Sequence, residues 1–179
     1  MCQLHLGYDV NVTSDAPWLS DQEAHVWRGW LRLNAELSAM LAREMQDDAG
    51  LSMSDFAVLV HLTDNPEGRV RVTDLARLLL WERSRVSHHV TRMERRGLAE
   101  RTECAEDGRG AFVAVTPAGR AAIEQAAPGH VRAVRRLLFD ALSSEEVARL
   151  GTVVDKVLAR LDEACGSAPD PGTAPGRAR

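Results

Sequence analysis

The sequence predicts a mainly α protein with a small β-wing, on three observations. Apolar residues recur at helical spacing along both ends of the chain, and shorter helices bounded by capping residues fill the middle. One stretch, Leu98–Glu103 followed by Ala111–Thr116, has the β-rich runs and intervening Asp-Gly of a hairpin.

Met1–Leu19 has weak periodicity and a Pro17-Trp18 step, and reads as an arm. Ser20 with Glu23 three residues on is a capping box. From Asp21 to Asp48 only Gly29 is unfavourable to helix, and Trp30, Leu33, Leu37, Met40 and Leu41 form one stripe. At about 1.5 Å per residue such a helix spans roughly 40 Å. That is more than a small lobe can cover, so the stripe calls for a second chain. Gly50 closes this helix, and Ser52 with Asp55 opens another carrying Phe56, Val58, Leu59, Val60 and Leu62. Asn65-Pro66-Glu67-Gly68 is a loop. Val70 and Val72 then make a short strand beside the hairpin. Thr73 caps a helix through Leu80 whose Leu75, Ala76, Leu78 and Leu79 pack beneath the next one. That next helix follows a turn at Trp81 and Glu82 and runs through Arg96, where Gly97 stops it.

Beyond the hairpin, Thr116 caps a helix with Pro117 at its first position. It runs through Ala126, is kinked or interrupted at Pro128-Gly129, and resumes with His130, Val131, Val134, Leu137, Leu138 and Leu142. Ser143 and Glu146 repeat the capping box ahead of a second long stripe, Val147, Leu150, Val154, Val157, Leu158 and Leu161. The Pro-, Gly- and Ala-rich end from Gly166 is expected to be a disordered tail. The expected organisation is an arm over 1–19, a dimerisation helix over 20–48, a compact lobe over 49–116, dimerisation helices over 117–165 and the tail over 166–179.

The helix from Arg83 to Arg96 has two faces. Val86, Val90 and Met93 fall at core spacing, whereas Arg83, Ser84, Arg85, Ser87, His88, Thr91, Arg92 and Arg95 look outward. Arginine donates bidentately to guanine, and short hydroxyls reach bases or phosphates. An ordinary solvated helix surface explains the same residues equally well when they are taken alone. The hairpin after the helix tips the balance, because it places Asp107, Gly108 and Arg109 in its turn. Helix, turn, helix and a hairpin with an arginine at its tip make a winged helix-turn-helix lobe, here flanked by N- and C-terminal dimerisation helices. Its second helix would enter a major groove and Arg109 the adjacent minor groove.

From Glu23 to Leu161 the chain resembles the MarR (multiple antibiotic resistance regulator) family. The resemblance rests on the wing pattern Asp107, any residue, Arg109, then a strand ending Val115-Thr116 and the helix-opening Gly119. It implies that Asp107 braces Arg109. It further implies that the start of the recognition helix, Arg83, Ser84, Arg85, Ser87 and His88, supplies base contacts. Arg83 and Arg85 are bulky and cationic in a turn that relatives often fill with smaller residues, so the resemblance does not extend to the operator sequence.

The net charge of −4 is unevenly spread. From Arg69 to Arg109 there are ten arginines and seven acids, so the total divides into about +3 there and −7 elsewhere. A locally basic lobe on an acidic body suits docking of the lobe on DNA. Lys156 is the only lysine, so arginine count by itself carries little weight. Cys2, Cys104 and Cys165 have no metal or disulfide spacing. Glu103 and Glu106 beside Cys104 favour its thiol over the reactive thiolate. No apolar run reaches membrane-spanning length, and the start lacks the basic and apolar regions of a signal peptide, which points to the cytoplasm. No nucleophile elbow, phosphate loop, dinucleotide fingerprint or HExxH is present, so neither an enzyme, a cofactor nor a metal is expected.

The implied function is a homodimeric regulator of transcription, a repressor that binds double-stranded DNA at a pseudo-palindromic operator. Relatives respond to small aromatic or anionic molecules or to oxidants, and Trp27, Trp30, Phe56, His61 and Trp81 are the candidate effector pocket here. Aromatic residues at helical spacing are more often core. Two alternatives stay open: an all-α monomer closed by its own stripes, and a winged-helix protein-interaction or dimerisation module without specific DNA binding.

Overall fold

The computed structural model of the chain describes residues 18–103 and 111–166. Its elements in order are α1 (Asp21–Ala49), α2 (Met53–Asp64), β1 (Arg69–Arg71), α3 (Val72–Leu79), α4 (Arg83–Arg95), β2 (Ala99–Glu103), β3 (Ala111–Val115), α5 (Pro117–Leu137), a short 3-10 turn (Phe139–Ala141) and α6 (Ser144–Gly166). The chain divides into two compact units within α1, one up to Ser38 and one from Ala39 onward.

In the first unit, Ser20 caps α1 as the sequence requires. Its backbone N–H and hydroxyl both donate to the Glu23 carboxylate, at 2.8 and 2.7 Å. None of the described side chains up to Ser38 is buried, and Trp27, Trp30 and Leu33 stand about half exposed.

The second unit holds the core. Val58, Leu59 and Leu62 of α2, Leu75 of α3, and Val86, Val90 and Met93 of α4 close on Val113 of the sheet, all essentially inaccessible to water. Each such side chain contributes roughly 1.5–3 kcal/mol by leaving water. The sheet is antiparallel in the order β1-β3-β2, with Val113 paired to Val70 on one side and Arg101 on the other. Ser52 and Asp55 cap α2 reciprocally, both bonds at 3.0 Å. Thr116 caps α5 by accepting from Gly119 N–H at 3.0 Å, and its own hydroxyl donates to the Gly97 carbonyl at 2.6 Å. That bond draws the start of α5 onto the end of α4. A Cβ on Gly119 would lie only 1.9 Å from the Leu98 carbonyl oxygen, so the contact requires glycine.

Four expectations are corrected. Helix α3 begins at Val72, with Arg71 as its cap residue and no side-chain capping bond. Thr73 therefore caps nothing and is exposed, because the β1 ladder ends one residue earlier than Val72. Leu78 is 53% exposed, because α3 turns only Leu75, Ala76 and part of Leu79 toward α4. Of the kink or interruption expected at Pro128, the interruption does not occur. Pro128 is exposed, so water can satisfy the carbonyl that its missing N–H leaves behind. The helix ends instead at Leu137, ahead of the 3-10 turn. The expected tail lies outside the described residues except for Gly166, which ends α6.

Candidate nucleic-acid interface

Helix α4 presents the predicted two faces. Val86, Val90 and Met93 are buried, Arg83, Ser84, Arg85, His88, Arg92 and Arg95 are exposed, and Ser87 and Thr91 lie between. No acidic residue occupies its first turn, and the N-cap residue Glu82 makes no side-chain capping bond. Among the described residues no carboxylate pairs with Arg83, Arg85, Arg92 or Arg95, and their charge faces solvent. Asp107 and Arg109 of the wing, and Cys104 at its base, lie outside the described residues.

Ser87 and Thr91 are already engaged. The Arg101 guanidinium, reaching across from β2, donates to the Ser87 carbonyl at 2.7 Å, the Ser87 hydroxyl at 3.0 Å and the Thr91 hydroxyl at 3.3 Å. Glu94 accepts from the Arg101 backbone N–H at 3.0 Å. The hairpin is thereby fastened to the flank of α4.

A polar cluster lies behind the exposed face. Asp55, at the start of α2, is only 3% exposed, and His89 of α4 is 5% exposed. Arg96 donates to Asp55 Oδ2 at 2.6 Å and to the Gly50 carbonyl at 2.8 Å. His89 Nε2 lies 3.1 Å from Asp55 Oδ1, with the ring N–H off line, so the contact is more electrostatic than a well-formed hydrogen bond. Burial alone would raise the Asp55 pKa. Its contacts with His89, the Ser52 backbone and hydroxyl, and Arg96 more than offset this and hold the carboxyl well below the usual carboxylate range. On its other side, His89 Nδ1 meets the Arg92 guanidinium at 2.8 Å. Trp81 stands edge-on to His89, ring centroids 5.4 Å apart, and the Arg85 guanidinium stacks 4.1 Å over the Trp81 ring.

Sequence reasoning missed His89, Arg96 and Arg101. His89 falls with Val86, Val90 and Met93 on the inward face, so helical spacing alone could have found it. The partners of Arg96 and Arg101 are set by tertiary contact and leave no local signal.

The five candidate effector residues have different surroundings. Trp27 and Trp30 belong to the first unit. Phe56 is in the core against His130, ring centroids 4.8 Å apart. His61 lines an open groove of about 510 Å³ with Leu78 and Phe112. Trp81 carries Arg85.

A three-stranded antiparallel sheet packed on a helix-turn-helix, whose second helix exposes arginines with no carboxylate partner among the described residues, is a winged-helix lobe. The model of the MarR family matches residues 49–110. Among solved structures, AbsC, a MarR family transcriptional regulator from Streptomyces coelicolor, is 35% identical. That alignment covers 83% of this chain and 99% of AbsC, with a TM-score of 0.78. Sco3205, a MarR family transcriptional regulator from the same organism solved in complex with DNA, is 38% identical over 81% of this chain and 91% of its own, with a TM-score of 0.76. A cysteine-to-serine variant of MarR from E. coli, complexed with operator DNA, shares the fold at 22% identity and a TM-score of 0.69, over 79% of this chain and 99% of its own. No curated protein matches. The chain belongs to the MarR family of transcriptional regulators. No helix among its described residues is long and apolar enough to cross a membrane.

Proposed function

We propose that the chain is a cytoplasmic homodimeric repressor that binds a pseudo-palindromic operator in double-stranded DNA and is released by a small aromatic or anionic molecule or by an oxidant. The observation that carries this reading is the outer face of α4, where Arg83, Arg85, Arg92 and Arg95 face solvent without a carboxylate partner among the described residues. Charge left unpaired in this way is available to phosphates and base edges. Two further observations support the reading. Sco3205, the 38% identical relative, was solved in complex with DNA. In addition, α6 buries none of its described side chains and leaves Val153, Val157, Leu158 and Leu161 more than half exposed, an apolar stripe suited to a second copy.

In this reading the start of α4 supplies base contacts through Arg83, Ser84, Arg85, Ser87 and His88. Thr91 and Arg92 lie further along the same groove, and Asp107 braces Arg109 in the minor groove. Residues 20–48 and 117–165 hold the two copies together, and Trp27, Trp30, Phe56, His61 and Trp81 are the candidate effector contacts.

The test is a gel shift of the full chain on the DNA upstream of its own gene, repeated over a salt series. Affinity is expected to fall steeply, with about 0.9 of log–log slope for each phosphate contact. Arg109→Ala should weaken all duplexes alike, whereas Arg85→Ala and His88→Ala should also relax base preference by roughly 1–3 kcal/mol each. Retention of no duplex even at low salt overturns the reading.

A further inference from the structure

Two of the exposed α4 arginines rest on aromatic rings or imidazole rather than on acids. Arg85 lies on the Trp81 ring, Trp81 lies edge-on to His89, and Arg92 meets His89 directly. The same buried imidazole therefore stands behind both guanidinium groups, and it faces the buried carboxylate of Asp55. A guanidinium has only donors. Nδ1 must therefore present its lone pair to Arg92, which leaves the proton on Nε2, facing Asp55. The Arg92 contact sets the tautomer, and Nε2 faces the Asp55 carboxylate at 3.1 Å without a well-formed hydrogen bond.

We infer that His89 is a positioning residue for DNA recognition, holding the Arg92 and Arg85 side chains toward the duplex through its Nδ1 acceptor and its contact with Trp81. The inference rests on the proposed DNA-binding function. A long arginine left to itself loses rotamer freedom on binding, whereas one already held loses less, so the bracket raises affinity without touching DNA. A carboxylate in the same place would also orient Arg92, but it would cancel the charge that phosphates need. The imidazole Nδ1 orients it through a lone pair and places no carboxylate against it. Asp55 stays on the far side, anchored by Arg96 and the Ser52 cap.

The test uses the full chain and a duplex selected by the wild type from a random-sequence pool, with an unrelated duplex as reference. His89→Phe keeps a ring beside Trp81 but removes the acceptor, and should weaken binding to the selected duplex about tenfold, the loss expected for one misaligned contact. His89→Gln offers an amide acceptor and should recover part of the loss. In the double variant with Arg92→Ala, binding should be no weaker than in Arg92→Ala alone by more than about twofold, because both changes remove one coupled interaction. Losses that multiply, or a His89→Phe protein that binds like wild type, overturn the inference. Should His89→Phe fail to fold, Arg92→Ala decides the matter, since it alters only an exposed side chain. The ¹⁵N resonance of His89 Nδ1 in free protein must then move, and an unmoved resonance overturns the bracket. A wild type that selects no sequence overturns the proposed function, and the inference with it. A wild type that binds while the His89 variants fail these tests overturns the inference alone.

Discussion

Gly119 and Leu80 show how single positions shape the lobe. At Gly119 the first turn of α5 touches the Leu98 carbonyl, and a methyl group there would overlap backbone rather than a yielding side chain. Gly119→Ala is therefore expected to cost about 3 kcal/mol or more in urea unfolding, at the upper end of overpacking effects. Wild-type stability in this variant would show that the close approach is absent. Leu80 ends α3 in the left-handed region, at φ 53°, and its side chain is 93% exposed. Leucine is strained there by roughly 1–2 kcal/mol, and asparagine tolerates it better. Leu80→Asn should raise the unfolding free energy by up to about 1 kcal/mol, measured on the same urea curves.

Helices α2 and α4 are joined through the Asp55 cluster, which makes their packing sensitive to acid. The folded Asp55 pKa is depressed, so its stabilising contribution is fully present above the unfolded value of about 3.9, shrinks as pH falls below that, and is gone only below the depressed folded value. Thermal unfolding from pH 7 to pH 3 should show the gap between wild type and Asp55→Asn narrowing in part, as the carboxylate of the unfolded chain takes up its proton. A constant gap between the two proteins would contradict this assignment. Strand β2 is fastened to α4 by Arg101 in a similar way. Arg101→Ala is expected to cost about 1 kcal/mol, the net value of a typical hydrogen bond, and faster amide exchange in β2 would report the loosened hairpin. Elements with local signals were legible in the sequence: the Ser20, Ser52, Thr116 and Ser143 caps, the inward Val86, Val90 and Met93, and the hairpin run Phe112–Val115. Others were not. Thr73 had the chemistry of a cap, but the length of β1 decided where α3 begins. Pro128 had the chemistry of a helix breaker, but its exposure made the lost hydrogen bond cheap. The bracket behind α4 was invisible because Asp55, Trp81 and His89 meet only after α2, α3 and α4 pack together.

At the scale of the whole molecule, charge and exposed apolar surface belong to different elements. Positive charge gathers on α4, while Trp27, Trp30 and Leu33 in α1 and Val157, Leu158 and Leu161 in α6 remain exposed. In a two-fold dimer those stripes would be covered and two copies of α4 would face successive major grooves, about 34–36 Å apart. Sedimentation of the free protein should therefore give twice the 19.6 kDa chain mass, and charged substitutions at Leu158 and Leu161 should shift it toward a single chain. The most direct measurement is the motif that the full chain enriches from random duplexes. The expected result is an inverted repeat with half-site centres about 10 bp apart, protected by two chains per duplex. Enrichment of a single unrepeated motif, or of none, would contradict the account.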